Sequence, residues 1–211
     1  MKPKIRSFYY YIACIIIFCP ITFQYCAPVF SELQSARTVG KNNIEATPFY
    51  TTTSGIQDHL GLQASYGVSS KVDIRARYEE IWAGIYDKGT HEKPVTVIGI
   101  GPKYRLIKNK MAFSVPLGRA LGENHKDSWQ VQPAMLLTLP AIKNKIEFTL
   151  SPKYLIIFGK PKDLPAVNLG ASFSTNLDKW ALRPEYGMLF YRGGENERQF
   201  SVGLSFTLHN R

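Results

Sequence analysis

The sequence predicts an all-β fold of about ten antiparallel strands, and three observations predict it. From Asn43 onward the chain divides into ten runs of alternating apolar and polar residues, approximately 43–53, 59–68, 71–85, 95–107, 110–121, 129–140, 145–158, 165–175, 179–191 and 199–208. A period of two is what a pleated strand imposes, and no stretch sustains the helical period. Aromatic residues make up 13% of the chain, with 12 Tyr and 12 Phe, a composition suited to strands. The connections also alternate. Tight turns at Ser69–Lys71, Lys108–Lys110, Ala141–Lys145 and Asn176–Lys179 interleave with longer polar loops at 87–94, 123–128, 159–165 and 192–198.

The alternation is clearest in the later runs. In the seventh, Ile146, Phe148, Leu150, Pro152, Tyr154 and Ile156 share one face, while Lys145, Glu147, Thr149, Ser151 and Lys153 share the other. The ninth sets Trp180, Leu182, Pro184, Tyr186, Met188 and Phe190 against Arg183 and Glu185. The tenth sets Phe200, Val202, Leu204, Phe206 and Leu208 against Ser201, Gly203, Ser205, Thr207 and His209. Half of each strand therefore meets an apolar medium. The phrase NKIEFTLSPKY at 144–154 has relatives at 69–78, 108–117 and 177–186, and the lysines at 71, 110, 145 and 179 are spaced by 39, 35 and 34 residues. The repeating unit is a β-hairpin whose tight turn carries the lysine. Pro48, Pro102, Pro152 and Pro184 recur in TPFY, GPKY, SPKY and RPEY. Proline cannot donate to a ladder, so these sites predict bulges or local bends.

Residues 1–26 read as an export signal, with Lys2, Lys4 and Arg6 preceding an uncharged stretch. A membrane-spanning helix is disfavoured because Pro20 and Pro28 interrupt the run and its apolar centre, Ile12 to Phe18, is short. All three cysteines, Cys14, Cys19 and Cys26, lie here, so no disulfide framework holds the rest. Cleavage before Cys26 would leave that cysteine at the new N-terminus. The arrangement resembles a bacterial lipoprotein signal, which implies Cys26 as the lipid attachment residue, although Tyr25 stands where that motif has a small residue. Residues 27–42 lack sustained periodicity and read as a tether, leaving 43–211 for one domain.

An even number of antiparallel strands, short turns at one end, longer loops at the other and an export signal together resemble the bacterial outer-membrane β-barrel class. The resemblance covers roughly residues 43–208. It implies a closed up-and-down transmembrane barrel, because hydrocarbon offers no hydrogen bonds to an open edge. It further implies a bacterial outer-membrane location with both termini periplasmic, residues 27–42 as a periplasmic tether, and outer-membrane lipids, lipopolysaccharide and the barrel-assembly machinery as partners. The terminal FSVGLSFTL is similar to that class's assembly signal, though His209, Asn210 and Arg211 displace its final aromatic. Alternation alone also allows a soluble lipocalin-like ligand-binding barrel with its apolar face inward. Two details favour the membrane. The polar faces carry charges of both signs, and the aromatics Tyr50, Tyr66, Trp82, Tyr86, Trp129, Phe158, Trp180 and Tyr191 fall near strand ends, where interfacial girdles form.

Chemistry is sparse. The formal charge is +10, falling to +7 without Lys2, Lys4 and Arg6, but no Lys/Arg run forms a stripe, so nucleic acid is not an expected partner. His59 beside Asp58, His91 beside Glu92 and His125 near Asp127 have no nucleophile signature with them. No metal-ligand spacing or phosphate-binding glycine pattern occurs; Gly99 and Gly101 relieve crowding in a strand more readily than they cradle a phosphate. No catalytic residue, metal or cofactor is therefore expected. The expected lumen lining is Asp73, Arg75, Arg77, Glu79, Lys103, Arg105, Arg183 and Glu185, either as a charge filter or as groups that neutralise one another. The reading that follows is a non-enzymatic outer-membrane barrel, structural, surface-interacting or a very narrow pore, with a lipid-modifying barrel enzyme as the alternative.

Overall fold

The structure is a computed structural model and describes residues 31–54, 57–83, 94–121, 128–158, 164–191 and 196–209. The export signal, Cys26, Tyr86, His91 and His125 lie outside the described residues, as do most positions of the longer loops. Among the described residues there are twelve ladder segments: β1 (Ile44–Thr53), β2 (Gln57–Gly67), β3 (Val72–Ala83), β4 (Val95–Ile107), β5 (Met111–Ser114), β6 (Leu117–Leu121), β7 (Ser128–Val131), β8 (Ala134–Ile142), β9 (Ile146–Ile157), β10 (Leu164–Phe173), β11 (Trp180–Leu189) and β12 (Glu197–Leu208). β5 with β6, and β7 with β8, are the two halves of single crossings, so the sheet has ten staves. Every pairing is antiparallel, and β1 pairs with both β2 and β12, which closes the sheet into a barrel.

The proline expectation is corrected. Pro48, Pro102, Pro152 and Pro184 stay paired on one side, opposite Leu62, Ile74, Val167 and Val202, while the ladder on the other side skips each of them without a shift of register, so they make gaps and not bulges. The breaks between strand segments fall at Pro116 and Pro133, which split β5 from β6 and β7 from β8. The register on either side is unchanged, because only ladder donors are missing. Gly101 accommodates this break: a Cβ there would overlap Pro116 and the Val115 carbonyl.

The tight turns explain the Asn-Lys phrase. Asn109 and Asn144 adopt φ of 56° and 57°, a left-handed conformation that Asn tolerates better than most residues. Each closes a three-residue turn in which Lys110 N–H donates to Ile107 C=O at 3.1 Å and Lys145 N–H donates to Ile142 C=O at 3.0 Å. The ladders shift register beside both turns, between Arg105 and Ile107 and between Pro140 and Ile142, as such hairpins do.

The faces separate cleanly. Leu60, Leu62, Ile98, Ile100, Leu150, Leu169, Leu204 and Phe206 point outward and are exposed. Gln63, Asp73, Glu79, Lys103, Glu147, Asn168, Glu185 and Gln199 point inward and are buried. A soluble barrel keeps its apolar face inside, and this distribution is the reverse.

Candidate functional site: a plugged lumen

Gly40 and Asn42 adopt φ of 89° and 63° and reverse the chain just before β1. Residues 31–39 are thereby turned back into the barrel, and Ser31, Glu32, Leu33, Gln34, Ser35 and Ala36 are all buried. The described part of the expected tether is therefore a plug. No periodicity marks it, because the segment joins no ladder and Ser31 to Ala36 are buried whether polar or apolar.

The reversal depends on Gly67. Asn42 N–H donates to Gly67 C=O at 2.7 Å, and a Cβ on Gly67 would overlap the Gly40 carbonyl. Gly67→Val is expected to unseat this end of the plug. Tryptic cleavage after Arg37 in the refolded barrel should then quicken by at least about tenfold, the mark of a lost local structure rather than global unfolding; an unchanged rate would show that the reversal yields without releasing the plug.

Side chains of the wall satisfy the plug's backbone. The φ of 51° at Leu33 turns two successive N–H groups, of Glu32 and Leu33, onto the two carboxylate oxygens of Glu185, each at 2.7 Å. This is a backbone nest holding an anion. Arg183 Nη1 donates to Leu33 C=O at 2.9 Å and Arg77 Nη1 to Ser31 C=O at 2.6 Å. Ala36 N–H donates to Thr138 Oγ1 at 2.9 Å, Val39 N–H to the Asp73 carboxylate at 3.2 Å, and Lys103 Nζ to Arg37 C=O at 2.6 Å. Ala36 also packs on Ala112 and Leu136.

Charge pairs fix the plug further. Glu32 lies between Arg75, at 2.8 Å, and Lys153. Burial on its own would push the Glu32 carboxyl up, but Lys153 and Arg75 outweigh it and hold the group at about 2. At the other end Arg37 Nε donates to Glu147 Oε2 at 2.7 Å. A buried charge without a partner costs several kcal/mol, so these pairs tie plug occupancy to the integrity of the wall.

All eight residues of the expected lining face the interior, and their partners are specific. Asp73 pairs with Lys103 at 3.2 Å and Arg77 with Glu79 at 2.8 Å, while Arg183 forms a fork on Glu45 at 3.0 and 2.8 Å. Arg75 and Glu185 are committed to the plug, and Arg105 reaches Thr38 Oγ1 at 3.3 Å. The lining thus neutralises the plug as much as itself. Glu32, Arg37, Glu45, Glu147 and Lys153 complete the network and were not among the expected residues. The last two fall on the polar face of the seventh run, which was the signal available for them.

Towards the loop end the interior changes character. Ile81, Val97 and Ala120 form one buried apolar cluster, and Leu155, Ile157, Leu164, Ala166 and Leu189 form another. Tyr191 packs on the second cluster and donates its hydroxyl to Glu197 at 2.7 Å, so it is an interior residue rather than a girdle aromatic. Tyr66, Trp129 and Phe158 are exposed at strand ends.

His59 has a different partner from its sequence neighbour. Adjacent strand residues point to opposite faces: Asp58 is outside, accepting from Tyr50 Oη at 2.6 Å, whereas His59 is inside, with Nδ1 at 2.8 Å from Glu79 Oε1 and Nε2 at 3.2 Å from Thr53 Oγ1. The chain Thr53–His59–Glu79 has the order of a nucleophile, base and orienting acid. All three are at most 3% exposed, and a group sealed this tightly has no path for a substrate, so the chain reads as a hydrogen-bonded link joining β1, β2 and β3. Among the described residues no group of three or more His, Cys, Asp or Glu could hold a metal.

No protein-family model matches the sequence, and no curated protein matches it. Among solved structures the chain is similar to the N-terminal β-barrel domain of Pseudomonas aeruginosa OprF, at 10% identity over 80% of this chain and 99% of that one, with a TM-score of 0.39. It is similar to the KdgM porin at 9% identity over 78% and 99% of the two chains, with a TM-score of 0.47. It is also similar to the translocator domain of the autotransporter NalP from Neisseria meningitidis, at 8% identity over 78% and 87%, with a TM-score of 0.46. At such identities the similarity is one of fold alone.

Proposed function

We propose that the protein is a bacterial outer-membrane barrel sealed by its own N-terminal segment, serving as a structural or surface-interaction protein rather than an open pore or an enzyme. The single observation that carries this reading is the occupancy of the lumen by residues 31–39, bound through Glu32 and Arg37 to charges on β3 and β9. The outward apolar face supports the membrane setting, since a bilayer solvates such a surface and water does not. Both ends of the barrel domain, Ile44 and Leu208, are paired at the tight-turn end, which in this setting is the periplasmic side. A lipid on Cys26 belongs to the same reading and is tested by mass spectrometry of the mature chain.

The test is planar-bilayer conductance after membrane fractionation and heat-modifiability on a gel. The full chain is expected to be silent, and deletion of residues 31–38 is expected to give discrete steps. Steps from the full chain would overturn the seal. Silence from a folded deletion variant would show that the wall itself closes the lumen and overturn the plug's role.

A further inference from the structure

The plug does not fill the tight-turn end of the lumen. A cavity of about 490 Å³ remains there, floored by plug residues Ser35, Arg37, Thr38, Val39 and Gly40 and walled by the ends of the strands and their turns. Among the described residues six cationic side chains line it, Arg37, Lys103, Arg105, Lys108, Lys143 and Arg183, against two carboxylates, Glu45 and Asp178.

The cations fall into two groups. Arg183 is matched by Glu45, Lys103 by Asp73, and Arg37 by Glu147 at 2.7 Å and Asp178 at 3.2 Å. Among the described residues no carboxylate pairs with Arg105, Lys108 or Lys143, and the one side-chain contact of Arg105 is the Thr38 hydroxyl. Deeper in the lumen Arg75, Arg77 and Lys153 each have a carboxylate partner. Three cations without a carboxylate partner among the described residues thus share the wall and rim of one half-enclosed space, and like charges gathered around a cavity repel unless an anion enters.

We infer that this vestibule binds a ligand carrying phosphoryl groups. A guanidinium on the wall offers a planar fork to two phosphoryl oxygens, and two ammonium groups at the rim supply point charges to the rest. The plug blocks the inner end, which makes the space a dead-end binding site and not a conduction path. The ligand touches Arg37 and Thr38 of the plug together with Arg105 of the wall, so its binding stabilises the plugged state by mass action. The phosphoryl group has two sources. It can be free in solution, or it can be a lipid headgroup, because Leu106, Ile107 and Ile142 are exposed directly beside Lys108 and Lys143 and place the rim at the edge of the apolar band.

The test uses the full barrel refolded in neutral detergent, with thermal unfolding followed at constant ionic strength. One arm titrates inorganic pyrophosphate, and the other replaces a fraction of the detergent with phosphatidylglycerol. A saturable rise in Tm is expected in at least one arm, and the arm that responds identifies the source. The triple variant Arg105→Gln, Lys108→Gln, Lys143→Gln breaks no ion pair and should fold, as heat-modifiability checks. Its half-saturation point should rise at least about tenfold. A Lys71→Gln, Lys179→Gln control, on the same face but outside the cavity lining, should behave as the parent. No saturable shift in either arm overturns the inference, and so does an equal loss in the control, which would mean diffuse surface charge.

Discussion

Glu32→Ala is expected to destabilise the folded barrel by about 3–5 kcal/mol, the usual cost of removing one partner from a buried charge set. The size follows from what remains: Arg75 and Lys153, both buried in the wall, would lose the same carboxylate at once. Urea unfolding in lipid vesicles, followed by tryptophan fluorescence, measures it, and tryptic cleavage after Arg37 reports plug release in parallel. Glu32→Gln should fall between parent and alanine, because the amide oxygen still accepts hydrogen bonds but carries no charge. Adding Lys153→Met to Glu32→Ala should recover part of the loss by removing one stranded cation. A destabilisation under about 1 kcal/mol would mean that water already solvates these cations and that the plug is not tied to the wall through charge.

The barrel itself was legible in the sequence and the plug was not, for one physical reason. Strands of a closed barrel have two faces in different media, so Phe148 and Glu147, or Leu204 and Ser205, advertise their directions by alternation. Ser31 to Ala36 are buried whether polar or apolar, and many of the groups that hold the segment are backbone N–H and C=O, which sequence does not display. The one signal present there, the turn-prone Gly40-Lys41-Asn42 that reverses the chain, was passed over in reading 27–42 as a tether. Proline misled for a related reason. Pro102 and Pro152 lack a donor towards one neighbour only: the ladder skips them on that side, stays complete on the other, and keeps its register on both. The His59 pairing was hidden because its partner Glu79 is 20 residues away and adjacent only through the β2–β3 ladder.

The membrane setting is tested by the face that alternation does reveal. Leu62 lies at the middle of β2, points outward, is 48% exposed and sits between Pro48 and Tyr78 on the neighbouring strands. In a water-soluble barrel Leu62→Arg would be a surface change of about half a kcal/mol or less. In a bilayer it places a guanidinium near the hydrocarbon midplane, at a cost of about 2–4 kcal/mol. Reversible urea unfolding from vesicles should show a loss in the second range, with the same substitution at Leu208, the tight-turn end of β12, costing about 1 kcal/mol or less because the charge can reach the interface. The gradient between the two sites is the discriminating quantity. Packing loss alone would depend on neighbours and not on height along the barrel, so equal costs at Leu62 and Leu208 would place the apolar face against something other than a bilayer.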